Sequence, residues 1–153
     1  MGTAVETQSK KLKISKFNNN IAISCSWKAS PNVRSYDLIG AYLNGPKVLG
    51  GPTSTITYSG GTIRPSAEKE TSKGFGSVLK MPTGGNSIVI STTFTISGSG
   101  RIYGSYQHAK SSISLNKAKS FNISSSGLGQ VFSFSSVSIR NKYDAMSGVY
   151  IDA

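Results

Sequence analysis

Apolar and polar residues alternate one by one along most of this chain, and Gly, Pro, Asn and Ser interrupt the alternation at short intervals. A period of two places successive side chains on opposite faces of an extended strand, a pattern no helix can turn into a single buried stripe. The alternation predicts strands near 11–17, 21–28, 36–43, 53–59, 76–81, 87–97, 101–107, 111–115, 119–124, 130–139 and 148–152. Between them "NNN", "SPNV", "NGP", "LGGP", "SGG" and "SGSG" carry turn chemistry, with glycine supplying positive φ. The stretch "IVISTTFTISGSGRIYGSYQ" reads as a hairpin, with Ile88, Ile90, Thr92, Phe94 and Ile96 on one face of its first arm. A phase slip from Phe132 and Phe134 to Val137 and Ile139 predicts a bulge near Ser135 and Ser136. Only "RNKYDAM", closed by Gly148, has the look of one or two helical turns.

The expected fold is therefore all-β: an antiparallel β-sandwich, jelly-roll or immunoglobulin-like, with almost no helix. Its predicted core holds Ile21, Ile23, Trp27, Ile90, Phe94, Ile96, Phe121, Phe132 and Phe134. At 153 residues the chain is long enough for one such domain without staples. It is read as a single β-sandwich over 11–153, with 1–10 as a flexible N-terminal segment. "MGTAVETQSKK" has the form of a short joined segment ahead of a mature N-terminus, as expected of a secreted protein after loss of its leader. No apolar run approaches membrane-spanning length.

Charge narrows the partners. Seventeen Lys and Arg face six Asp and Glu, a net +11, which attracts anionic polymers at long range. Nucleic acid is the weaker candidate. Arg34, Arg64, Arg101 and Arg140 are widely separated, whereas bidentate base and phosphate readout relies on arginine. Lysine dominates, which suits loose attraction to anionic lipid or to the phosphate-rich polymers of a Gram-positive wall.

Most chemistry is excluded by residue supply. Cys25 stands alone, so no intramolecular disulfide can form, and its alternating strand "IAISCSW" makes it a buried, inert thiol. One His and one Cys in different strands do not assemble a transition-metal site, and the six carboxylates are too scattered for calcium. No metal site and no cofactor is expected. Glu68 and Glu70 in "PSAEKETSKG" read as ordinary loop charges. Phosphate-binding and dinucleotide glycine signatures are absent.

What remains is "SGSGRIYGSYQHAKSSISL", which carries the chain's only histidine, His108. Arg101, Tyr103, Ser105 and Gln107 share one face of its strand; Ile102, Gly104, Tyr106 and His108 share the other. The first face is expected to meet solvent. Arg101, Tyr103, His108 and Lys110 are then expected to line one accessible rim near "SGSG". As an enzyme, the chain has two routes. His108 with a serine could be oriented by Asp37 or Asp144, or His108 could act with Glu68 or Glu70 and an arginine as a small basic nuclease. No nucleophile elbow accompanies either.

"YGSYQHAKSSISL" resembles the Tyr-x-x-Tyr-x-His-x-x-Lys segment of the lactococcin family of β-sandwich bacteriocins, which are small, secreted and cationic. The C-terminal half is also similar to small secreted β-sandwich proteins of Bacillus-type bacteria. The likeness to the bacteriocins covers Tyr103 to about Leu115, and this chain is longer than they are and lacks their Trp-rich tail. It implies attachment to, or attack on, the envelope of related bacteria through wall precursors, with Tyr103, Tyr106, His108 and Lys110 as the residues carried over. The leading expectation is a secreted, extracellular or wall-associated, non-enzymatic binding protein with a bacteriocin- or toxin-like role. Its partner is an anionic envelope polymer or wall precursor, and its ligand-binding residues are Arg101, Tyr103, Tyr106, His108 and Lys110, with none catalytic. The alternatives are a basic secreted nuclease using His108 and a carbohydrate-binding module using Tyr36, Tyr42, Tyr58 or Tyr103.

Overall fold

Alternation becomes ladder wherever one face can be buried. The computed structural model describes residues 2–124 and 130–153 and is 60% strand and 5% helix, so the architecture is the antiparallel β-sandwich. One sheet has six strands in the order β1 (Ala4–Glu6), β2 (Lys10–Phe17), β3 (Asn20–Trp27), β9 (Val89–Ser97), β5 (Lys47–Tyr58) and β6 (Gly61–Ile63). The other has five: β13 (Tyr143–Asp152), β10 (Arg101–Ala109), β4 (Tyr36–Asn44), β8 (Gly74–Lys80) and β7 (Ala67–Thr71). Inward-phase Ile21, Ile23, Cys25, Ile90, Phe94 and Ile96 of the first sheet pack against Ile39, Ala41, Phe75, Ile102 and Tyr106 of the second. Hydroxyls that fall in this phase are satisfied among themselves. The Ser54 hydroxyl bonds that of Ser77 at 2.7 Å and donates to Thr92 Oγ1 at 2.9 Å, which removes the cost of burying them unpaired.

A second apolar layer lies on the outer face of the five-stranded sheet. After β10 the chain forms α1 (Leu115–Ala118), the short pair β11 (Asn122–Ile123) and β12 (Phe132–Ser133), and α2 (Val137–Arg140), before returning as β13. Ser114 and Ser136 cap the two helical turns, each hydroxyl accepting from a backbone N–H at 3.4 Å. Phe121, Val131, Phe132, Phe134 and Tyr143 bury themselves there with Leu38, Val78 and Ala109. Strands β4, β8 and β10 are consequently covered on both faces. Neither helix is long and apolar enough to cross a membrane.

This layer corrects several expectations. Phe121, Phe132 and Phe134 are buried outside the inter-sheet core, and Trp27 is half-buried at its margin. The strands expected at 111–115, 119–124 and 130–139 reduce to one two-residue pair, and 111–115 holds none. There is no bulge at Ser135 and Ser136: β12 has already ended at Ser133, and Ser136 caps α2. "RNKYDAM" is not helical beyond Arg140, because Tyr143 to Met146 find a ladder partner along β10.

The expected hairpin is also different: β9 and β10 lie in opposite sheets, and "SGSG" is an arch between them. Gly98 and Gly100 have φ of 88° and 139°. A Cβ on Gly100 would strike the Asn44 carbonyl, because this arch packs backbone to backbone on the one joining β4 to β5. Glu68 and Glu70, expected in a loop, lie with Lys69 on edge strand β7, where charge deters further pairing. Residues 2–10, expected to be flexible, are built into the sandwich. Thr3 N–H donates to Tyr150 O at 3.2 Å, Tyr150 N–H to Thr3 Oγ1 at 2.7 Å, Val5 packs on the core, and Lys10 is buried.

Candidate functional site

At one end of the sandwich the alternation brings a carboxylate inside. Asp37 occupies the inter-sheet phase of β4 that Ile39, Ala41 and Leu43 continue, and it has no solvent exposure. On β10 the same phase runs through Ile102, Tyr106 and His108. The pairing Gln107↔Leu38 puts His108 beside Asp37 one step further on. Both strands are central in their sheet, so neither group can retreat to an edge.

The buried carboxylate is held by donors alone. Tyr106 donates its hydroxyl proton to Asp37 Oδ2. His108 Nδ1 meets the same oxygen at 2.9 Å, and the Ala109 N–H donates to Oδ1 at 2.9 Å. Tyr106 in turn accepts from Trp27 Nε1 at 3.2 Å. In the chain Trp27 → Tyr106 → Asp37 ← His108 the carboxylate takes up the Nδ1–H of the ring, which leaves Nε2 as the nitrogen open to another partner. Burial, reinforced by the Asp37 charge, pushes the Tyr106 phenol well above its ordinary value, keeping it a donor. Burial also pushes the Cys25 thiol up to about 12, Lys10 opposing and Asp37 reinforcing.

Around this pair the end of the sandwich opens into a cleft of about 280 Å³, lined by Lys10, His108, Lys110, Asp144 and the loop carrying Ser30 and Asn32. Lys10 faces Trp27 across the β2–β3 ladder, and His108 faces Asp144 across β10–β13. The Lys10 ammonium is pinned 4.9 Å from the centre of the Trp27 ring and donates to Asp144 Oδ2 at 3.3 Å. The His108 ring stands edge-on to Trp27 at 4.7 Å. The arrangement is an oriented imidazole and two cations, one of them paired with Asp144, around a cavity, the parts that bind an anion and that general-base chemistry uses.

No family model, curated protein or solved structure matches this chain.

The expected binding strip does not form a single rim. Arg101 and His108 are seven residues apart on one strand, roughly 23 Å at the rise of a β-strand, and only Arg101 is near the "SGSG" arch. There it makes a bidentate pair with Asp152, at 2.8 and 3.1 Å, and lies 4.1 Å from the centre of the Tyr150 ring. Tyr103, expected in solvent, is half-buried against the second layer; Ser105 and Gln107 of the same face are buried beneath it. Tyr106 is fully buried as part of the core. His108 and Lys110 alone among the five line the cleft.

Tyr36, Tyr42, Tyr58 and Tyr103 are each half-buried, so none of the tyrosines proposed as a sugar platform presents a fully open ring. Glu68 and Glu70 lie on β7, three strands away from β10, too far to work with His108. The orienting acid is Asp37, one of the two anticipated for a triad. Lys10, Trp27, Ser30 and Asn32 were missed. The available signal was weak: an acid in the inward phase of "YDLIGAYL" and a lysine starting the "KKLKI" alternation.

Proposed function

We propose that this protein is a secreted, extracellular or wall-associated, cationic binding protein whose ligand is an anionic polymer of the bacterial envelope, with antagonism of related cells as its sharper form. What carries the reading is the charge of the second layer. From Lys110 to Lys142 the sequence has five cations, Lys110, Lys117, Lys119, Arg140 and Lys142, and no carboxylate. Lys110, Lys117, Lys119 and Arg140 are exposed and Lys142 half-buried, and among the described residues none of the five is in an ion pair. Pairing elsewhere uses Lys10, Lys28, Arg101 and His108. The layer is thus a one-sign surface carried by a rigid sheet, and such a surface draws a polyanion with a reach of about 8 Å at physiological salt.

Co-sedimentation with purified walls and with isolated teichoic acid, at low and high salt, tests the reading. Retention that falls steeply with salt, and falls again when Lys117 and Lys119 are both changed to Ala, is expected. Equal retention on an uncharged polysaccharide overturns it.

A further inference from the structure

A histidine that serves only to neutralise a buried acid has no need of solvent. His108 is held by the enclosed Asp37, yet it lines an open cleft and keeps 11% of its side chain in contact with solvent. The same cleft contains one cation fixed in place and one free to move: Lys10 is 3% exposed and pinned by Asp144 and Trp27, whereas Lys110 is exposed and unpaired among the described residues. Ser30 and Asn32 supply polar lining opposite them. We propose that this cleft hydrolyses phosphodiester bonds in the anionic polymer, with His108 as the catalytic base. The inference rests on the envelope-binding reading for its substrate and departs from the expectation of a protein that only binds.

The step balances without any oxidant or reductant. A water oxygen bonds to phosphorus as its proton passes to His108 Nε2. The phosphorus–oxygen bond to the leaving alcohol breaks on the opposite side, its electron pair goes to that oxygen, which takes a proton from solvent, and the imidazolium releases its own proton to solvent. The products are a phosphomonoester and an alcohol. Exposed Lys110 meets the charge that grows on the phosphoryl oxygens, the largest contribution such a site can make, and the fixed Lys10 adds its field from the wall. Asp37 is a positioning residue: it holds the ring tautomer and favours the imidazolium that forms. The indole of Trp27, the larger ring among the residues lining the cleft, carries Lys10 over its face and His108 against it. A polyol phosphate repeat, which needs no stacking surface, is the better substrate class.

The test uses the whole chain with three probes: bis(4-nitrophenyl) phosphate, glycerol-phosphate teichoic acid and RNA. Release of nitrophenol and of new phosphomonoester ends from teichoic acid is expected. His108→Gln, whose amide can still donate to Asp37, should lower both by about 100-fold or more. Asp37→Asn should lower kcat per folded molecule, the folded fraction being counted by near-ultraviolet circular dichroism, while leaving KM nearly unchanged; loss of folded protein alone leaves that corrected kcat where it was. Turnover by the wild type no greater than by His108→Gln, at equal near-ultraviolet circular dichroism, overturns the proposal. So does RNA cleavage with teichoic acid left intact. Nitrophenol release without polymer retention defeats the envelope reading alone, and retention without turnover defeats this one alone.

Discussion

The two ends of β10 hold the same kinds of residues and do different things with them. Near its start, Arg101 meets Asp152 beside Tyr103 and Tyr150; near its end, His108 meets Asp37 beside Tyr106 and Trp27. The Asp152 side chain is 64% exposed and that of Asp37 0%. At the first end water remains the main partner of both ions, so the bidentate pair adds little. At the second, water is excluded, and the carboxylate exists only because three donors replace it. Chemistry that needs an oriented base can be built at the second end and not at the first.

The comparison breaks most visibly at Asp37. Asp37→Ala leaves Tyr106, His108 and the Ala109 N–H without their common acceptor in a site closed to solvent. A loss of about 3–5 kcal/mol is expected, as for removal of one partner from a buried charged pair. The urea midpoint checks it. A loss below about 1 kcal/mol would place this end on the same footing as the Arg101 end.

Alkaline pH attacks the same end through its neutral acids. The Cys25 thiol is raised from 9.0 to about 12 by burial, and Tyr106 is raised in the same direction. Each keeps its proton in the folded state at a pH where the unfolded chain has released it. Stability from Cys25 is therefore fully present below about 9 and is lost as pH climbs towards 12, at about 1.4 kcal/mol per pH unit. Unfolding midpoints taken from about pH 7 to about pH 11 should fall, and Cys25→Ala should make the fall shallower. An unchanged slope in that variant would show the thiol to be solvated.

Tyr106→Phe sharpens the comparison with less damage, since it keeps the ring and deletes one hydroxyl. Trp27 Nε1 loses its acceptor and Asp37 one donor of three, for an expected cost of about 1–3 kcal/mol. Thermal unfolding with a parallel measurement of Trp fluorescence reads both consequences.

How much of this the sequence could yield depends on what each segment packs against. From Lys10 to Ala109 most strands have one partner face, and alternation located β2, β3, β4, β8, β9 and β10 within a few residues. Beyond Ala109 the chain covers a face already made of sheet, so Phe121, Phe132 and Phe134 are buried by a layer with no strand period of its own. The short edge strands β1, β6 and β7 have too few residues to show one.

The candidate site was half legible. His108 was visible as the chain's single imidazole, and Asp37 as an orienting acid among others. Their meeting was not, because it joins residues 71 apart through the pairing of β4 with β10. Reading "SGSG" as a hairpin gave β10 the wrong neighbour, and the polarity of Arg101, Tyr103, Ser105 and Gln107 pointed to solvent where the second layer covers Tyr103, Ser105 and Gln107.

The smallest effect should come from the end where the strip was expected. Arg101→Ala removes the bidentate pair with Asp152 and the contact over Tyr150. Arg101 holds the Asp152 carboxyl below its usual range, so whatever the pair contributes is present above that range and is lost as pH falls through it. Both side chains are largely in water, where Coulomb attraction is weak and ordering two side chains opposes it. The melting temperature at neutral pH should shift by no more than about 3 °C, and added salt should shrink the difference between variant and wild type. Hydrolysis at the His108 cleft should not change. A fall in melting temperature as large as that of Tyr106→Phe would show that Arg101 closes the core at its end of β10 as firmly as Asp37 does at the other.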